Sequence, residues 1–255
     1  MPAEAWARDR CLHPGTQRCP ATPGLLSVRR VGDVPFHYPH AIRRSAGGVA
    51  VITKRDETRQ QRYLPLVQIA LTTFLTNMRR FGMPVEAIIT YGSLYCRCIS
   101  RTDKLSDHSY GDAIDVVGVR WPATGGPPST TRDTIVHNYL VPDQRRLLRR
   151  IDACLRLSFD RVIDYHRSDH HDHFHCDLNQ GRGPRPRERV SLTFAQEALG
   201  VALGRPVPVT GRLDAATQRA LRDFSGTVPP DDRALLAVLR TLHTRIAAGS
   251  LVPSS

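Results

Sequence analysis

The sequence predicts an α+β protein: an antiparallel sheet packed by helices, followed by a small bundle of three helices. Three observations carry this. Apolar residues recur every three or four positions over 57–81 and again over 142–158, the mark of amphipathic helices. Between and beyond these helices lie short runs with strand character, at 85–91, 94–99, 111–119 and 161–165. After a Gly/Pro/Arg-rich stretch at 181–189, helical periodicity alone continues towards the end of the sequence.

Residues 1–48 are rich in Pro, Gly and Arg with little periodicity, and predict an irregular arm. In the first helix Leu64, Val67, Leu71, Phe74, Leu75 and Met78 share the buried side, and Gly82 and Pro84 end it. A strand over 85–91 and a turn at Gly92 lead to a second strand, 94–99, that carries Arg97. The strand over 111–119 is followed by a Gly/Pro/Ser/Thr-rich loop at 122–131. The helix over 142–158 buries Leu147, Leu148, Ile151, Cys154 and Leu155, and the strand over 161–165 feeds a histidine cluster. These elements make one domain over 49–180.

Residues 181–189 have the composition of a linker stiffened by prolines. No aromatic residue is interleaved with its arginines for base stacking, which disfavours a nucleic-acid patch. Segments 194–200, 209–217 and 220–224 outline two short helices joined by a turn, with Asp214 as N-cap of the second; 231–246 supplies a third. They form a bundle over 190–248.

Chemistry concentrates in two stretches. The first runs from Ser106 through His108 and Gly111 to Asp115, and the second holds His170, His171, Asp172, His173, His175 and Asp177. A hydrolytic zinc site uses three ligands of the His/Asp/Glu kind and leaves a position open for water. His108, Asp115 and one histidine of the second stretch meet that need. Strand alternation puts His173, His175 and Asp177 on one face and Phe174 and Cys176 on the other. Asp115 stands inside the apolar run Ala113-Ile114-Asp115-Val116-Val117, where a carboxylate needs a partner. His108 lies seven residues earlier, so it belongs on the turn leading in, with Gly111 permitting the bend.

The pattern SxHxxGxAxD followed by HxH resembles that of the LAS metallopeptidases, which take in D-alanyl-D-alanine peptidases, murein endopeptidases and the hedgehog signalling domain. Ser106, His108, Gly111, Ala113, Asp115, His173 and His175 match its fixed positions. Over roughly 60–180 the chain is most similar to the bacterial extensin-like C-terminal domain, through 81–85, 95–97, 105–108, 153–154 and 173–177. The resemblance implies a LAS/hedgehog-like fold and His108, Asp115 and His175 as ligands to Zn2+. It places His173 beside the metal, and Arg97 and Ser106 in contact with substrate. Many members use a glutamate a few residues before the last ligand as general base, but none stands between Asp160 and Asp177 here. His170, Asp172 or His173 takes that role. Gly211, Leu213, Thr217, Ala220 and Phe224 make the bundle similar to a peptidoglycan-binding module, although a second glycine-threonine turn is missing after Phe224.

The implied activity is zinc-dependent cleavage of peptide bonds in peptidoglycan, of the D,D-carboxypeptidase or D,D-endopeptidase type. The alternative is a catalytically inactive, zinc-stabilised wall-binding module. The formal charge of +12, with Lys54 and Lys104 the only lysines, suits an anionic partner. A nucleic-acid partner would leave both histidine stretches unexplained. Six cysteines predict disulfides, with Cys11–Cys19 as a local pair and Cys96 or Cys98 reaching Cys154 and Cys176. Cys96 and Cys98 lack a second close pair, which disfavours a cysteine zinc clasp. No apolar run marks a signal peptide or a membrane span. A periplasmic or wall location therefore implies delivery by another route, as for a secreted effector or phage lysin, or a truncated sequence. Injection into competitors would bring a cognate immunity or inhibitor protein as partner.

Overall fold

The structure is a computed structural model, and it describes residues 22–45, 48–99, 102, 104–127 and 131–249. β1 (Leu26–Val28) and β5 (Gln61–Tyr63) form an antiparallel ribbon. The main sheet runs in the order β2 (Arg30–Val31), β3 (Val34–Arg44), β6 (Ala87–Gly92), β7 (Ala113–Arg120), β10 (Phe174–Asp177) and β9 (Arg161–Ile163). β4 (Ala50–Asp56) pairs with β3, and β8 (Asp133–Ile135) pairs with β7. With five helices, α1 (Pro65–Arg80), α2 (Pro142–Arg156), α3 (Arg189–Ala202), α4 (Ala215–Ser225) and α5 (Asp232–Ala248), the described residues form an α+β fold.

Several elements differ from the expectation. The arm is not irregular where it is described, because β3 runs for 11 residues and joins the sheet beside β6. Pro35 and Pro39 hide that strand in the sequence, since proline cannot donate to a ladder. The β3–β4 pairing accommodates Pro39 with a register shift between Pro39 and Ala41. The sheet is mixed rather than antiparallel, because β3 and β6 run parallel with β4, β5 and α1 in the connection between them. The first helix starts at Pro65 and not near residue 57: proline favours the first helical position, and Leu64 before it is held extended at ψ 152°. Residues 94–99 form a loop with one isolated bridge, Cys98 to Leu105, instead of a strand.

The two faces of the sheet have different uses. Ile88, Ile114, Val116, Val119, Phe174 and Cys176 pack in one core with Val67, Leu71, Phe74 and Met78 of α1 and Leu148 and Ile151 of α2. On the opposite face, Ile89, Val117 and Ile135 pack with Ala50 and Ile52. Asp115 and His175 alternate onto this second face, away from the two helices.

α3, α4 and α5 form the expected three-helix unit, with the Asp214 carboxylate accepting from the Thr217 backbone N–H at the start of α4. The unit is not held off by a spacer. Phe194, Leu199, Leu235 and Leu242 belong to the same core as α1 and α2. Arg150 of α2 donates to the Ala247 carbonyl of α5 at 2.9 Å and to the Phe81 carbonyl at 2.8 Å. The 181–189 stretch is therefore a short connection within one packed body. Cys154 and Cys176 are free thiols buried in this core, so the predicted pairing with Cys96 or Cys98 does not occur. The expected Cys11–Cys19 pair lies outside the described residues. No described helix is long and apolar enough to cross a membrane.

Candidate metal centre

After Ser106 the chain makes a single 3-10 turn, Asp107–Tyr110, which Gly111 ends in the left-handed region at φ 70°. That backbone conformation is one L side chains rarely adopt, and a Cβ there would also crowd the Leu25 side chain, so glycine suits the turn that leads into β7. The turn buries His108 completely and aims its ring at β7. Asp115 of β7 lies directly opposite His175 of β10 in the antiparallel register. A cross-strand pair and a turn residue thus meet on the sheet face that the helices do not cover.

Their ligand atoms converge closely. His108 Nε2 is 2.9 Å from Asp115 Oδ1 and 3.0 Å from His175 Nδ1, and His175 Nδ1 is 3.1 Å from the same carboxylate oxygen. The other nitrogen of each ring is taken. His108 Nδ1 donates to the Ser93 carbonyl at 2.6 Å, and His175 Nε2 is 3.2 Å from Asp177 Oδ2. Such outer partners fix the tautomer and turn the free nitrogen inward, the arrangement that accompanies metal-ligating histidines. Burial opposes a charge on His175, yet its bonds to Asp115 and Asp177 carry its pKa up to about 10. Burial also opposes ionisation of Asp115, but His108 and His175 hold its carboxyl well below the usual range.

His108, Asp115 and His175 are accordingly a buried donor set that could hold a metal ion. One further atom fits this: His173 Nε2 is buried without a hydrogen-bond partner, 3.5 Å from Asp115 Oδ1. A second grouping, Asp107, His175 and Asp177, shares His175. Its two carboxylates already have a cation beside them, Arg161, at 3.8 and 3.5 Å.

The remaining expected site residues divide. His173 Nδ1 bonds Asp172 Oδ1 at 2.7 Å, so Asp172 orients the imidazole rather than standing free as a base. The His170 ring lies 4.8 Å from that of His173 and bonds Asp169 at 2.8 Å. Arg97 reaches the centre from its loop, with Nη2 3.6 Å from Asp115 Oδ2 and its side chain 53% exposed. Ser106 does not line the cleft; its backbone N–H donates to the Arg97 carbonyl at 3.0 Å, which places it in support of that loop.

Ser93, Tyr91 and Tyr95 carried no role in the sequence reading, and Asp177 only a place on the face of His173 and His175. Asp177 was visible two residues beyond His175 on the same strand face. Tyr91 stands edge-on to His173 at 5.8 Å and shares a hydrogen bond with Asp172. The Tyr95 ring packs 5.4 Å from that of His108, and its hydroxyl donates to the Tyr91 carbonyl. Gly92 between them takes a positive φ of 135° that L side chains rarely adopt. With Leu94, Cys96, Arg97, Asp115, Asp172 and His173 these tyrosines line an open cleft of about 560 Å³.

No curated protein and no solved structure gives a significant match to the chain. Residues 70–186, which carry the whole donor set, the Asp172–His173 pair and Arg97, match the family described as the extensin-like protein C-terminus.

Proposed function

We propose that the protein is a zinc-dependent peptidase of the LAS kind that cleaves peptide bonds in bacterial peptidoglycan. One observation carries the reading. A buried set of two imidazoles and a carboxylate opens onto a cleft whose wall presents an unpartnered imidazole nitrogen and an exposed guanidinium.

His108, Asp115 and His175 would hold the zinc, which when bound supplies Lewis acidity and lowers the pKa of water to near 7. His173 would move the proton through Nε2; its Nδ1 bond to Asp172 supports this reading, since it would fix the tautomer and steady the imidazolium that forms. Arg97 would bind a substrate carboxylate or the developing oxyanion by charge-assisted hydrogen bonds, a reading its exposure beside Asp115 supports. The net positive charge draws the protein towards an anionic polymer, and the C-terminal helices add surface for holding the wall.

Digestion of purified peptidoglycan by the zinc-loaded protein and by His175→Ala, with products identified by mass, tests this. Loss of cross-linked dimers or of terminal D-alanine with wild type alone is the expected result. One bound zinc equivalent with no bond cut from any wall would turn the reading towards the inactive wall-binding module.

A further inference from the structure

The loop between β9 and β10 delivers Asp172 and His173 to the cleft, with the His170 ring packed against that of His173, yet it is short of apolar anchors of its own. Its 3-10 turn, Ser168–His170, contains no buried residue. Its backbone-to-backbone hydrogen bonds are two, from Arg167 N–H to the Asp164 carbonyl at 3.1 Å and from His170 N–H to the Arg167 carbonyl at 2.9 Å, and its remaining internal bonds join side chains to near neighbours in the same loop. Its first residues are held from outside: Arg156 of α2 pairs with Asp164, Tyr139 stacks on Tyr165 at 5.3 Å, and the C-terminal helices supply the contact to the Tyr165 hydroxyl and His166.

Glu197 of α3 lies at the point of contact. Its carboxylate accepts from the Tyr165 hydroxyl at 3.1 Å and sits 3.2 Å from His166 Nε2. On its other oxygen it takes Arg145 at 2.7 Å and Arg149 at 3.0 Å, both from α2. The other His166 nitrogen bonds Asp164 Oδ1 at 2.9 Å, and Asp164 Oδ2 pairs with Arg156 at 2.8 Å. Arg156 in turn donates to the Val190 carbonyl of α3 and lies over the Phe194 ring at 4.5 Å. The Tyr165 ring packs at 6.3 Å against Phe174, the residue between His173 and His175. One side chain of the third helix therefore grips both residues from which the loop departs.

We infer that Glu197 is a positioning residue for His170 and His173, so that the C-terminal helices complete the catalytic site as well as offering surface to the wall. An unsatisfied buried carboxylate is expensive, so the Glu197 contacts act as a unit and define one loop conformation. The mechanical half of this inference stands on the contacts above. Its effect on turnover rests on the peptidase reading. The metal donors are on the 3-10 turn, β7 and β10, and need nothing from Glu197.

The test is Glu197→Gln, with Glu197→Ala beside it, in the full chain loaded with zinc. Hydrogen exchange followed by mass is expected to rise at least tenfold at the amides of His166, Arg167 and His170, while β6 and β7 keep wild-type protection and one zinc equivalent stays bound. Where the wild type cuts peptidoglycan, kcat falls tenfold or more with KM within twofold. Wild-type exchange in the loop, or an equal rise in every element, would overturn the inference. Should the alanine variant fail to fold, the glutamine variant decides, since it keeps the side-chain volume. The exchange readout needs no turnover, so an inactive wild-type protein would sink the peptidase reading without touching this one.

Discussion

The two histidine stretches of the sequence end up in contrasting surroundings. His108, Asp115 and His175 are fixed by a sheet: two stand opposite each other in register, the third is locked in a turn, and all three are buried. His170, Asp172 and His173 ride on a loop, partly exposed, and take their orientation from carboxylates nearby and from a helix outside the ligand stretches. The contrast separates two tasks. Holding a cation calls for donors that do not move, whereas passing a proton calls for a group that touches both the cleft and solvent.

The sharpest way to break this division is His173→Ala. It touches only the loop-borne half, so zinc stoichiometry should stay at one while turnover on peptidoglycan falls by about 10²–10⁴, the usual worth of a positioned acid–base group. Loss of zinc together with turnover would erase the division. Asp177→Asn probes the other half. Asp177 supports His175 from behind, and removing such a partner lowers metal affinity by about 10–100-fold, read by competition with a chelator. Unchanged affinity would mean that the strand alone sets the ring.

A smaller effect concerns the anchor of the loop. Burial opposes a charge on His166, but Asp164 and Glu197 lift its pKa to about 9, with Arg145, Arg149 and Tyr165 around the same carboxylate. A raised folded pKa stabilises most when the group is charged in both states, so this contribution is complete below about 6.5 and fades as pH rises through about 9. It amounts to ~3 kcal/mol. Denaturant midpoints of the zinc-loaded protein and His166→Gln should therefore lie furthest apart near pH 6 and draw together by pH ~9. A gap that stays constant across that window would show that the pair does not act through charge.

What could be read beforehand follows the same contrast. The strand period of two put His175 and Phe174 on opposite faces, and an acid inside an apolar run marked Asp115, because both signals are local. Gly111 could be read as the bend because few residues accept a positive φ. The loop at 94–99 carries a false strand signal, because Leu94 and Cys96 alternate like a strand, while Ser93 bonds to β5 and the Ser109 hydroxyl ties residues 95 and 97 into a tight curve. The Ser93 carbonyl under His108 carries no side-chain sign at all. Glu197 meets Tyr165 across 32 residues and a linker-like composition, and nothing local couples a charged helix position to a distant loop. The C-terminal helices read correctly as three, but their fusion with α2 depends on faces that match only once both are folded.

The most direct test of the metal centre is X-ray absorption at the zinc edge of the loaded protein. Two imidazole nitrogens and a carboxylate oxygen from the protein, with no sulfur, is the result that His108, Asp115 and His175 predict. Sulfur among the atoms bound to zinc, or fewer than two imidazoles, would contradict the site built here.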